Sequence, residues 1–315
     1  EPIFDAGFAR DGGTLYYKGE KLDADPSELR YITTESGAAS GYYTDGKSLF
    51  MGFYRLDTRY SDETRRICYD AKHDIEYLFE PKSGAVFANE HKFNAQNMPY
   101  SAIYSVDNVH SFWPLFASKD GIYFWDSTKD EQAKISDYQL KGELKRLYAD
   151  VFVDENSAYF LQQGEEWQRS KHGRHLVAQT VSLYKFAPSS SWREIGLVKD
   201  GEYGAVYANG DKLYFFSKIK PFYGIKHSVY EVVDLGAVEI LTRPPHFQGK
   251  ELEAKDIYEM IKTGALVPAS GEEVAISRIE VEKPTIILYV TFGIVFILAI
   301  IFGVTKAKST KRDYM

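Results

Sequence analysis

The sequence predicts an all-β fold: a β-propeller-like array of about six hairpin repeats, followed by a short helix and one C-terminal transmembrane helix. Three observations carry this. A turn-centred motif returns six times between residues 7 and 215. The residues flanking each turn are aromatic, β-branched or aliphatic, the types that favour strands. Thr285 to Val304 is a run of twenty residues without a charge.

The six copies are GFARDGGTLYY (7–17), GYYTDGKSLFM (41–51), YLFEPKSGAVF (77–87), PLFASKDGIYF (114–124), DVFVDENSAYF (150–160) and AVYANGDKLYF (205–215). Each reads as a strand, a four-residue turn and a strand. The turn tetrads are drawn from Asp, Asn, Gly, Ser, Lys and Pro, which accept turn dihedrals or bond their own backbone. A recurring Asp fits this, because its carboxylate can accept from the backbone N–H two residues on. The centre of the second strand falls at Tyr16, Phe50, Val86, Tyr123, Tyr159 and Tyr214, so the spacings are 34, 36, 37, 36 and 55 residues. Consecutive apolar residues in both strands imply sheets covered on both faces, as in blades stacked against neighbours. A β-sandwich or an open stack of β-meanders is the other architecture this pattern allows.

The longer fifth period holds an insertion, Gln163 to Gln179, read as a long exposed loop, and a further strand pair, SLYKFAPSSSWREIG (182–196). That pair is echoed by SVYEVVDLGAVEIL (228–241), which closes the array near Thr242. Residues 243–284 are expected to be a juxtamembrane linker. Within it, 251–264 reads as a helix with Leu252, Ile257, Met260 and Ile261 near one face and Gly264 as its cap, and 272–284 as an extended strand.

At ~1.5 Å per residue the 285–304 run is ~30 Å long as a helix, the thickness of a bilayer's hydrocarbon core. The tail, 305–315, carries Lys306, Lys308, Lys311 and Arg312, against Arg278 and Lys283 on the other side. By the positive-inside rule the tail is cytoplasmic and the body periplasmic or extracellular, the alternative being a tail-anchored protein with a cytosolic body. The first residue is Glu, which leaves room for a removed signal peptide or an upstream anchor.

An acidic balance, 45 Asp and Glu against 38 Lys and Arg, argues against nucleic-acid binding by phosphate neutralisation. The one cysteine, Cys68, excludes an intrachain disulfide and reads as a buried hydrophobe. SKDGIYFW (118–125) approaches the Asp-box of sialidase-type propellers, a fold ornament, but has Ile122 and Phe124 where that box has Gly and Thr. No GxSxG, HExxH, GxGxxG or P-loop pattern occurs, so no catalytic residue, metal site or cofactor is assigned. The candidate contact residues are in the 164–175 stretch: Trp167, Arg169, Lys171, His172, Arg174 and His175, since binding residues favour loops held by a rigid scaffold.

The string LYYKGEKLDADPSELRYI (15–32) resembles the repeat of the bacterial DKNYY family, through Asp11, Tyr16, Tyr17, Lys18, Gly19, Asp25, Pro26 and Leu29. Later copies keep the Asp and aromatic positions (Asp45 and Phe50, Asp120 and Tyr123, Asp154 and Tyr159) and lose the Asp-Pro segment. The close match covers residues 11–32, with a weaker echo to residue 215. The resemblance implies a tyrosine-rich bacterial β-repeat protein, commonly exported or membrane-attached, without an assigned activity.

Two functions follow as expectations. The first is a single-pass membrane-anchored scaffold that binds another protein of the bacterial envelope, in an immunity or accessory role or within a membrane complex. The alternative is an enzyme acting on envelope polymers from a funnel at the array's axis.

Overall fold

The computed structural model describes residues 7–33, 39–105, 112–171, 173–220, 225–244 and 251–281. The expected membrane helix, 285–304, and the tail, 305–315, lie outside the described residues. Among those described, no helix is long and apolar enough to cross a membrane.

The described chain is mostly β, in six antiparallel sheets that follow chain order. Sheet 1 holds β1 (Phe8–Asp11), β2 (Thr14–Tyr17) and β3 (Glu20–Leu22). Sheet 2 holds β4 (Arg30–Thr33), β5 (Ala39–Thr44), β6 (Ser48–Met51) and β7 (Tyr54–Arg59). In sheet 3 are β8 (Arg65–Asp70), β9 (Ile75–Glu80), β10 (Ala85–Ala88) and β11 (His91–Lys92). Sheet 4 is β12 (Ser101–Ile103), β13 (Leu115–Ser118), β14 (Gly121–Asp126) and β15 (Glu131–Ser136). Sheet 5 begins with β16 (Lys145–Tyr148), β17 (Val151–Val153), β18 (Ser157–Ser170) and β19 (Gly173–Pro188). Sheet 6 begins with β20 (Trp192–Val198), β21 (Gly204–Asn209), β22 (Lys212–Ser217) and β23 (Val229–Val232). Helices α1 (Leu235–Leu241) and α2 (Ala254–Lys262) follow, then β24 (Leu266–Pro268) and β25 (Glu272–Glu280).

Each sheet is built round one of the six hairpins read from the sequence, and the register is the same in all. Tyr16 faces Ala9, Phe50 faces Tyr43, Val86 faces Phe79, Tyr123 faces Phe116, Tyr159 faces Phe152 and Tyr214 faces Tyr207. In sheets 3 and 4 the hairpin strands β9, β10, β13 and β14 are buried at every residue but Glu76, which is what consecutive apolar residues require, whereas β1 and β2 of sheet 1 are mostly open.

Shared cores join each sheet to the next. Leu15 of sheet 1 packs with Tyr43 and Phe50 of sheet 2. Tyr42 and Leu49 pack with Leu78 and Phe87 of sheet 3. Sheets 3, 4 and 5 share the largest cluster, which includes Tyr77, Phe116, Trp125, Tyr159 and Leu183. Val151 and Phe160 of sheet 5 meet Ala205 and Phe216 of sheet 6. The other side of sheet 6 is covered by the helices, with Val206 and Phe215 against Ala237, Leu241, Ile257 and Met260. Among the described residues no such cluster contains both sheet 1 and sheet 6, and no closed propeller is formed.

Four local readings are corrected. The 164–175 stretch is two strand arms, since β18 and β19 run to Ser170 and from Gly173. Residues 182–196 are no hairpin, because β19 belongs to sheet 5 and β20 to sheet 6. The second half of 228–241 is α1, started by Asp234, whose Oδ1 accepts from the Gly236 N–H at 2.9 Å. The span expected to be a linker completes two sheets: β24 pairs with β23, and β25 lies beside β19 as the fifth strand of sheet 5. The helix expected over 251–264 is α2, and Gly264 follows it at φ +80°.

By contact density the chain divides into two compact units, Glu1–Gly164 with Thr180–Ile279, and Glu165–Gln179 with Glu280–Met315. The second is described at 165–171, 173–179 and 280–281.

The recurring turn carboxylates are structural. Asp45 Oδ1 accepts from the N–H groups of Lys47 and Ser48 at 3.0 and 2.7 Å. In the third copy Glu80 takes this part, accepting from Lys82 and Ser83. Asp154 accepts from the N–H groups of Lys141, Asn156 and Ser157 and from the Tyr159 hydroxyl, each at 2.8 Å. Burial alone would raise the Asp154 pKa, but these donors outweigh it and hold the carboxyl below its ordinary value. Asp154→Ala is therefore expected to cost about 2–3 kcal/mol near neutral pH, the range for charge-assisted bonds lost from a buried site. A lowered folded pKa contributes stability that is present above the unfolded value near 4 and lost as pH falls through the folded one. Urea titrations should thus show the wild-type advantage shrinking below about pH 4.

Candidate contact surfaces

The stretch singled out from the sequence forms the end of the β18–β19 hairpin. Trp167 is 47% exposed, and its Nε1 donates to Glu165 Oε2 at 3.3 Å. Trp167 and Arg169 share a strand face because side chains alternate with period two. Lys171 is at the turn and Arg174 opens the return strand, both exposed, while His175 is half-buried. His172 lies outside the described residues. Both arms are polar on both faces, so alternation gave no strand signal.

A second surface, which sequence reasoning missed, lies at the helical end of sheet 6. A cavity of about 340 Å³ opens between α2 and the end of α1, with Ile240, Leu252 and Met260 on its walls. Its rim carries Lys199 and Arg243 together with Glu251, Asp256 and Glu259. α2 starts with a capping box in which the Glu253 N–H donates to Asp256 Oδ2 at 3.0 Å, so that carboxylate is aimed along its own helix. Lys199 Nζ donates to the Tyr203 hydroxyl at 3.1 Å and pairs with Glu202 at 3.1 Å and Glu251 at 3.3 Å. The Tyr203 bond first, then the carboxylates, hold the Lys199 ammonium above its ordinary pKa, so it stays charged. Val233 (61% exposed) and Leu235 (71%) at the start of α1, and the cavity residue Ile240 (37%), turn apolar surface to solvent. The sequence signal available was α2's amphipathic spacing; the partner helix α1 and Lys199 enter only through tertiary packing.

Other polar residues serve the fold. Asp120 accepts from Asn97 Nδ2, Ser118 Oγ and the Tyr123 hydroxyl, so the Asp-box-like stretch ties β13–β14 to the turn at Ala95–Asn97. His73 Nδ1 lies 2.6 Å from Asp70 Oδ2, and the His91 ring stacks on Trp125. His227 is half-buried edge-on to Tyr230, and burial, with Lys226 nearby, lowers its pKa. Cys68 is buried. Among the described residues no three His, Cys, Asp and Glu side chains gather as a metal set. Comparison with family models, with curated proteins and with solved structures returns no match.

Proposed function

We propose that this protein is a membrane-anchored scaffold whose β-repeat body docks another protein of the bacterial envelope. The observation that carries the reading is the cavity of about 340 Å³ between α1 and α2, with Ile240, Leu252 and Met260 among its lining residues, and with Val233 and Leu235 exposed at the start of α1. A concave pocket with apolar walls and charged lining residues has the anatomy of an interface core and rim. The rim carries three carboxylates and two cations, which suits a partner that inserts an apolar anchor flanked by basic residues.

In this reading the uncharged 285–304 run spans the bilayer, the body faces the periplasm or exterior, and the basic tail is inside. The successive sheets act as the blades of one propeller-like scaffold, and the DKNYY kinship suggested by residues 11–32 belongs to the same proposal.

The test is capture from detergent-solubilised membranes with the full chain as bait. The wild type is expected to retain a specific protein, and Leu235→Asp/Ile240→Asp to lose it, with unfolding unchanged within about 0.5 kcal/mol because both sites are on the surface. Equal retention by the variant would refute the docking face. Capture of nothing, together with turnover of envelope polymers, would favour the enzyme.

A further inference from the structure

We propose that the turn end of the β18–β19 hairpin docks on anionic lipid headgroups of the membrane that the 285–304 run enters. This rests on the anchored reading above and adds a lipid contact that the anchor alone does not need.

The first observation is strand direction. The Val281 N–H donates to Val177 O at 2.9 Å. At the other end of the same strand pair, a side chain built on Gly271 would meet Lys185 O. As β25 advances from 271 to 281 its neighbours in β19 recede from 185 to 177, so the two strands are antiparallel. At Val281 the chain is therefore heading along β19 toward the hairpin turn.

The second observation is reach. Four residue steps separate Val281 from Thr285, at most ~14 Å of extended chain. From Val177 back to the turn at Lys171–Gly173 is four to six residues, ~13–20 Å of strand. Four residues continuing the direction that the chain has at Val281 would be long enough to bring the start of the apolar run level with the hairpin turn.

The third is chemistry. From Gln168 to Leu176 the sequence holds Arg169, Lys171 and Arg174 and no carboxylate; Glu165 and Glu166 lie farther from the turn. Trp167 is exposed beside them. An indole with an apolar body and a polar N–H is the side chain that collects at membrane interfaces, and cations there are drawn to anionic headgroups. Trp167 thus stands between Glu165, to which its Nε1 donates, and the cations of the turn end, with its indole exposed as that layer requires.

The test uses the full chain in proteoliposomes, with lipids brominated high on the acyl chain as quenchers of tryptophan fluorescence. The Trp167 contribution is isolated by subtracting the signal of Trp167→Phe. It is expected to be quenched by bromolipid and shielded from aqueous acrylamide in vesicles containing phosphatidylglycerol, and not in purely zwitterionic ones. Arg169→Gln/Lys171→Gln/Arg174→Gln should lower the docked-to-undocked ratio roughly a hundredfold, about fivefold per charge. An alkaline carbonate wash separates the two claims. A washed chain that stays with the vesicles while Trp167 remains open to acrylamide and untouched by bromolipid overturns the docking and leaves the anchor standing. Release by the wash overturns both. Shielding of Trp167 that appears only when solubilised envelope proteins are added overturns the lipid contact in favour of a protein one.

Discussion

Trp113→Ala is expected to destabilise the body by about 4 kcal/mol and to lower its Tm by about 10 °C. Trp113 is 1% exposed and sits in the cluster shared by sheets 3, 4 and 5, with Phe124, Leu183, Val274 and Ile279. Its Nε1 donates to Ser277 Oγ at 2.8 Å, and Ser277 Oγ donates to Val181 O at 2.9 Å. The side chain thus ties sheet 4 to β19 and to β25 at once. Truncation removes a large buried aromatic volume that the surrounding strands cannot refill, and that places the cost near the middle of the Trp→Ala range. Trp113→Phe keeps most of the volume and removes only the donor, so it should cost about 1–2 kcal/mol. Denaturant unfolding followed by far-UV circular dichroism measures both. A loss below about 1 kcal/mol for the alanine variant would mean that β25 is not seated there.

Gly204→Val is expected to cost about 4 kcal/mol or more, through backbone geometry instead of lost burial. Gly204 opens β21 at φ +129°, where L side chains are strained, and faces Ser217 across the β21–β22 pair. A Cβ built there collides with the carbonyl oxygen of Phe216. That oxygen belongs to a buried strand and cannot swing away, so the two central strands of sheet 6 would have to part. Gly13 is the control, since a Cβ there meets nothing within 4 Å. Gly13→Ala should change stability by less than about 0.5 kcal/mol. The comparison is made by thermal unfolding of both variants beside the wild type, and equal Tm values for all three would contradict the register given for β21 and β22.

The six hairpins were legible because two local signals coincide in each: turn-forming residues, with structural side-chain bonds at Asp45, Glu80, Asp120 and Asp154, and flanking residues that favour strands. Asp45 and Asp154 do what their position implied, while Glu80 does the same job from a residue type that the motif did not anticipate. The Glu165–His175 arms were misread because polar residues occupy both strand faces, which erases the period-two contrast a half-buried strand would show. α1 was misread as strand because Val238, Ile240 and Leu241 favour either state, and the deciding signal was the single N-cap residue Asp234. β25 was legible as an extended strand, and Ala275, Ser277 and Ile279 are buried on one of its faces. Its partner was not, since nothing local in 272–280 specifies an edge formed by residues about ninety positions earlier. The cleft between α1 and α2 was invisible for the same reason: it exists only once both helices cover one face of sheet 6.

Hydrogen exchange of the full-length chain, resolved by peptide, tests most directly that the chain-ordered stack of sheets includes the C-terminal strand. Those amides of 272–280 that face β19 are expected to be protected together with 157–163 and 180–188, because all three segments belong to sheet 5, while the alternate amides on its outer edge exchange faster. Exchange of 272–280 at the rate of a solvated linker, with the rest of sheet 5 protected, would contradict it.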